Sequence, residues 1–242
     1  MALLLLACAT AEARKFRVGK GTRQLVLVTA ESWNAPAGKL ERWERGATGP
    51  WKKVGEPIDV ALGKNGLGWG LGLQADDFSM ERIGPLKQEG DGRAPAGAFK
   101  LEESTGYAPA PPAGATLKYR QATDTLRCVD DPKSKLYNQL VDEKTEPKTW
   151  VSAEDMHRAD ALYTWTIVVE HNRKPVVPGQ GSCIFLHAAA TPMASTVGCT
   201  AMALPALETL FAWLKADAQP LLVQLPKKEY EQLGDEWKLP GR

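Results

Sequence analysis

Long apolar runs are scarce in this 242-residue chain, and several diagnostic chemical signatures are missing altogether. Beyond the first dozen residues no stretch approaches the ~20 apolar residues of a spanning helix, so no transmembrane span is expected in the mature chain. Neither sign of charge is in excess: Lys and Arg number 30 against 29 acidic residues, which leaves no net field to draw in nucleic acid or an anionic surface. There is no Cys-x-x-Cys, which argues against a thiol–disulfide exchange enzyme. No Cys or His pair has the spacing of a structural zinc site, and neither a metal nor any other cofactor is expected. Repeats with periods of about 20 to 50 residues are absent, which disfavours solenoids and propellers. Gly63 to Gly72, GKNGLGWGLG, lacks the Gly-Lys-Ser/Thr ending of a phosphate-binding loop and precedes no clear helix. A flexible turn near the functional site is the expectation there.

What remains is the composition of an ordinary folded protein, large enough for one good core and expected to be a monomer. Residues 1–13, MALLLLACATAEA, carry a short apolar stretch and end in Ala11-Glu12-Ala13, a small-x-small cleavage pattern. Export to the periplasm or cell envelope follows, although no Lys or Arg precedes the apolar stretch. Leu5-Leu6-Ala7-Cys8 also resembles a lipoprotein box, which would place a lipid anchor on Cys8. Residues 14–226 are read as one folded domain and 227–242 as a polar, peripheral tail. With Cys8 removed or lipidated, three cysteines enter an oxidising compartment, and the odd number invites one bridge and one free thiol. Cys128 and Cys183 are the natural pair.

The chain reads as mostly β. Gln24 to Thr29, Lys39 to Arg45 and Trp51 to Leu62 form a meander, the last interrupted at Gly55-Glu56-Pro57. Ala98 to Glu103 is a strand, Leu117 to Gln121 and Leu126 to Val129 are a strand pair, and Tyr163 to Glu170 is the strongest strand signal and expected to be central. Leu136, Leu140 and Val141 hint at a short helix, and Ser152-Ala153-Glu154-Asp155 resembles a capping box ahead of another. His171 is expected in a solvated turn and His157 at the surface. Leu204, Leu207, Leu210, Phe211 and Leu214 fall on one helical face with Pro205 in the first turn, and Leu221 to Leu225 is a last strand.

Chemistry is expected in Ser182 to Met202, where a strand ending at His187, a small-residue loop and a helix start converge. Cys199 reads as lying just ahead of the helix N-terminus. There the dipole and a nearby imidazole would favour its thiolate, and the amides of Gly198 and Cys199 could face an oxyanion. The bland alternative, a small buried cysteine and a satisfied core histidine, stays open on spacing alone.

His187 upstream of Thr196-Val197-Gly198-Cys199 resembles the signature of the L,D-transpeptidases with a YkuD-type catalytic domain, a histidine followed by Ser/Thr-x-Gly-Cys. Glu89 to Phe99, EGDGRAPAGAF, is similar to the family's Gly…Thr-Pro-x-Gly-x-Phe segment, and Gly63-Lys64-Asn65-Gly66 extends the likeness. Val197, Ala201 and Ala188 depart from the commoner His, Arg/Asn and Gly/Ser. The resemblance implies a β-sandwich with a few short helices and a catalytic groove. It also implies a peptidoglycan stem peptide as substrate and acyl transfer through a Cys199 thioester. His187 would be the general base and acid, the Ala188 carbonyl its orienting partner and the Gly198 amide an oxyanion donor. Thr196, Val197 and Trp69 are candidate substrate contacts. Attack by an amine would make a cross-link and attack by water an L,D-carboxypeptidase, while a non-catalytic wall-binding relative is the reading from another class.

Overall fold

The computed structural model describes residues 15–76, 83–191 and 194–241, so the expected signal segment and Cys8 lie outside the described residues. The first three strands, β1 (Gln24–Ala30), β2 (Ala37–Glu44) and β3 (Lys52–Ala61), form the antiparallel meander. β1 is apolar along its length because both its faces are covered, whereas β2 buries Leu40 and leaves its charged residues at the surface. β3 runs through Gly55-Glu56-Pro57 without the expected break. The register jumps between Leu40 and Arg42, so the extra residues of β3 bulge out, which accommodates Pro57 without a ladder N–H and Gly55 at φ +66°.

β4 (Leu67–Trp69), β5 (Ala94–Lys100), β6 (Glu103–Gly106) and β7 (Lys118–Gln121) follow. Next come β8 (Leu126–Val129), β9 (Leu140–Asp142) and β10 (Ala153–Asp155), then β11 (Trp165–Val168), β12 (Phe185–Ala188) and β13 (Thr200–Met202). Helix α1 (Leu204–Trp213), strand β14 (Leu221–Pro226) and helix α2 (Lys227–Trp237) close the chain. Eleven strands make one mixed sheet, ordered β4-β5-β14-β1-β2-β3-β13-β12-β11-β6-β7, and β10-β8-β9 make a small second sheet. β13 and β14 are separated in that order by three strands, which at about 4.8 Å per step puts them about 19 Å apart in a flat sheet. Yet Thr200 Oγ1 donates to Gln224 Oε1 at 2.8 Å. The sheet therefore folds over on itself, and its halves enclose one apolar interior running from Leu67 and Ala96 through Leu25 and Leu222 to Leu186 and Ile167.

Several sequence expectations are corrected. β7 and β8 are not a pair: β7 joins β6 at the edge of the large sheet and β8 is the centre of the small one. Neither expected helix forms: Leu136 lies in a turn with Leu140 and Val141 in β9, and the capping-box residues Ala153 to Asp155 are β10, because segments this short cannot nucleate a helix unaided and β8 offers each strand a ladder. Leu140 and Val141 accordingly enter different apolar clusters, as alternation on a strand requires. β11 lies third from the sheet edge, not at its centre. The C-terminal segment is a helix whose partly buried Tyr230 and Leu233 and fully buried Trp237 face the core, with the Trp237 ring 4.8 Å from Phe16. His171 is not solvated but 1 % exposed; Leu71 N–H donates to its Nδ1 at 3.1 Å and its Nε2–H donates to Gln180 O at 2.9 Å.

Candidate active site

β12 and β13 run parallel, with Leu186 opposite Thr200 and His187 opposite Ala201. One step back along the ladder, Phe185 faces Cys199, and its N–H points at the sulfur at 3.4 Å. Alternation then places Phe185, His187 and Cys199 on one face of the sheet, thiol and imidazole on adjacent strands. Tyr163 packs over that face, its ring centroid 5.3 Å from His187 and 5.7 Å from Phe185. His187 Nδ1–H donates to Ala188 O at 2.7 Å. A carbonyl only accepts, so Nδ1 carries the proton and Nε2 keeps its lone pair, the tautomer a general base needs. No hydrogen bond joins the imidazole to the thiol.

The expected helix dipole does not act on Cys199. β13 intervenes between this residue and α1, so the thiol sits at a strand start, and the apolar period of α1 could not reveal that spacer. Cys199 is 5 % exposed; burial pushes its thiol well up, the Glu154 carboxyl adds to that, and Phe185 N–H and the Lys87 ammonium act against it. Burial likewise pushes the His187 imidazole down. The resting pair is therefore a neutral thiol and a neutral imidazole.

A cavity of about 230 Å³ opens on Cys199. Charged residues that the sequence did not single out line it. Lys87, 3 % exposed, is held by Asp91 at 2.6 Å. Glu89 accepts the hydroxyls of Tyr137 and, at 2.7 Å, Ser182. Glu154 accepts Tyr163 OH at 2.6 Å, and Asp130 Oδ1 is buried without a partner. No spacing rule connects residues 87, 130, 154 and 199; only the tertiary fold brings them together. A wider depression of about 450 Å³, between Phe16 and Pro220, includes neither Cys199 nor His187.

The other expected contacts divide. Val197 is 72 % exposed and lines the cavity with Gly198. Thr196 instead braces the loop: its Oγ1 donates to Cys199 O at 2.7 Å and accepts Gly198 N–H at 3.1 Å, so the Gly198 amide is already engaged. Lys64 N–H donates to Thr196 O at 2.8 Å and Thr196 N–H to Leu62 O at 2.9 Å. That clamp requires Gly63, where a Cβ would come within 2.4 Å of Gly92 O. The glycine-rich segment is thus a packed support rather than a loose turn. Trp69 is corrected from groove to core: it is 4 % exposed, packs on Trp33 at 5.2 Å and does not line the cavity.

Cys128 and Cys183 form a disulfide, and Cys199 is free. The bridge ties β8 to the residue whose carbonyl accepts the Cys199 thiol at 3.6 Å. Cys183 itself sits at φ +54°, outside β12, so the strand that carries His187 starts at Phe185. Among the described residues no group of His, Cys, Asp and Glu is arranged to hold a metal ion, and no helix is long and apolar enough to cross a membrane.

The family model for the L,D-transpeptidase catalytic domain, YkuD, matches residues 36–223, a span that includes β12, β13 and the thiol cavity. The chain belongs to the L,D-transpeptidase family. Membership implies peptidoglycan as the substrate class and the cell envelope as the place of action. A comparison with curated proteins finds no match.

Proposed function

We propose that the chain is an exported L,D-transpeptidase that acts on peptidoglycan stem peptides through an acyl-enzyme on Cys199. The observation that carries this reading is a free cysteine lining a cavity, on the strand edge next to a histidine whose Nδ1–H is tied to Ala188 O. In the first half-reaction His187 Nε2 takes the thiol proton as the sulfur attacks the carbonyl joining the L-centre of diaminopimelate to D-alanine. The imidazolium then protonates the leaving amine, D-alanine departs and a thioester remains. Because thiol and imidazole both start neutral, proton transfer accompanies attack. The Gly198 N–H is held by Thr196 in the resting site and serves the developing oxyanion only on leaving that bond.

Intact-mass analysis of purified protein with a tetrapeptide donor tests this reading. An adduct of the donor acyl mass with stoichiometric D-alanine release is expected, and Cys199→Ala should form none while melting within a few degrees of the wild type. A folded Cys199→Ala protein that still releases D-alanine would refute the assignment.

A further inference from the structure

Two carboxyl groups face the nucleophile across the cavity and have no part in the mechanism above. Glu154 lies on β10 opposite Cys128 of β8, and Asp130 follows the end of β8. The Cys128–Cys183 bridge fixes this small sheet next to Cys199. Of the other charges in the cavity wall, Lys87 is held by Asp91 and Glu89 by Tyr137 and Ser182, while Lys64 is exposed to solvent at its rim. Asp130 Oδ1, by contrast, is a buried acceptor with no donor, and Glu154 receives the single hydrogen bond of Tyr163 OH. The unmet demand of the cavity is for a guest with positive charge and several N–H donors, a primary ammonium.

Proton counting points the same way. An acceptor amine arrives as R–NH3⁺ and must lose two protons to become an amide nitrogen, whereas His187 can take only one at a time. Resting on the transpeptidase reading, we propose that Asp130 and Glu154 dock the ammonium of the acyl acceptor and that Glu154 takes its first proton. The freed amine attacks the thioester carbonyl, forming a C–N bond. As the C–S bond breaks, the sulfur leaves with the electron pair and the second proton passes through His187 to it, restoring thiol and neutral imidazole. Glu154 then returns its proton to solvent. Glu154 is half-buried, and burial raises its carboxyl to about 7, a base strength suited to this task at neutral pH. Asp130 and Glu89 push it the same way, Tyr163 and Arg158 oppose them, and Lys64, Lys87 and Cys199 line the same cavity.

The test resolves the two half-reactions. Wild type and Glu154→Gln are acylated with the tetrapeptide donor, glycinamide is added, and aminolysis and hydrolysis of the adduct are followed by intact mass. In the variant the aminolysis-to-hydrolysis ratio should fall at least about tenfold, so the adduct accumulates. The wild-type aminolysis rate should rise through a limb near pH 7 that the variant lacks, and Tyr163→Phe, which removes a hydrogen bond favouring the carboxylate, should move that limb to higher pH. An unchanged ratio overturns the inference, and so does loss of acylation in folded Glu154→Gln, which would assign the carboxyl to the donor. Should Glu154→Gln not fold, Asp130→Asn carries the test: the half-saturating glycinamide concentration should rise several-fold at constant hydrolysis, and no change would refute docking. A wild type that never acylates sinks the transpeptidase reading and this inference with it, whereas aminolysis indifferent to both acids sinks this inference alone.

Discussion

Replacing Cys128 and Cys183 together with Ala releases the small sheet from the nucleophile, and the size of the effect follows from the chain between them. The bridge closes a loop with a sequence separation of 55. In the chain-entropy account, a loop of that length destabilises the unfolded state by about 4 kcal/mol at 25 °C. For a chain of this size each kcal/mol moves the melting temperature by about 2–4 °C, so a drop of about 8–16 °C is expected. Both cysteines are also buried, at 0 % and 3 % exposure, and loss of their sulfurs adds a smaller packing loss. Calorimetry on the oxidised wild type, the double variant and wild type under reductant measures it, and the last two should nearly coincide. Aminolysis of the acyl-enzyme should weaken as well, because Asp130 and Glu154 ride on the released sheet. A melting shift below about 3 °C, or a reduced wild type as stable as the oxidised one, would refute the claim that the bridge braces the site.

His187→Ala should slow acylation by nearly as much as loss of the thiol, since base and nucleophile act as a unit; a variant with weakened donor binding but an intact single-turnover rate would exclude His187 as the base. His171 makes stability pH-dependent. Burial lowers its folded pKa to about 3 against about 6.5 unfolded, so between these values the unfolded chain binds more protons and stability falls as pH falls, by about 2 kcal/mol at pH 5. Urea unfolding at pH 7.5 and pH 5 should show a loss that is smaller by that amount in His171→Gln, and equal losses in both proteins would contradict it. Trp237→Ala should cost about 3–5 kcal/mol, read as a lowered urea midpoint, because this ring is fully buried against Phe16; a neutral change would restore the view of the C-terminal segment as a peripheral tail.

Local pattern determined much of this molecule unaided. The meander at residues 24–61, the α1 face with Pro205 in its first turn and the strand carrying His187 all depend on apolar periods and β-branched residues within a few positions of one another, and such signals are written into adjacent sequence. The likeness of His187 and Thr196-Val197-Gly198-Cys199 to the family's signature pointed to the candidate site, which is local in sequence because neighbouring strands β12 and β13 are joined by the very loop that carries the motif. Where two partners could capture a short segment, sequence alone misled. Leu136, Leu140 and Val141 have a helical spacing and residues 152–155 resemble a capping box, yet β8 supplies ladder bonds that no lone helical turn can match. Trp237 stands among charged residues, and only the docking of α2 against Phe16 reveals it as core. The electrostatics of the thiol were decided wholly by tertiary structure. Burial, the strand that separates Cys199 from α1, and the convergence of Lys87, Asp130, Glu154 and Tyr163 all arise from packing between residues far apart in the chain. A titrating group responds to charge and solvent within a few ångströms of it, whatever their distance along the sequence.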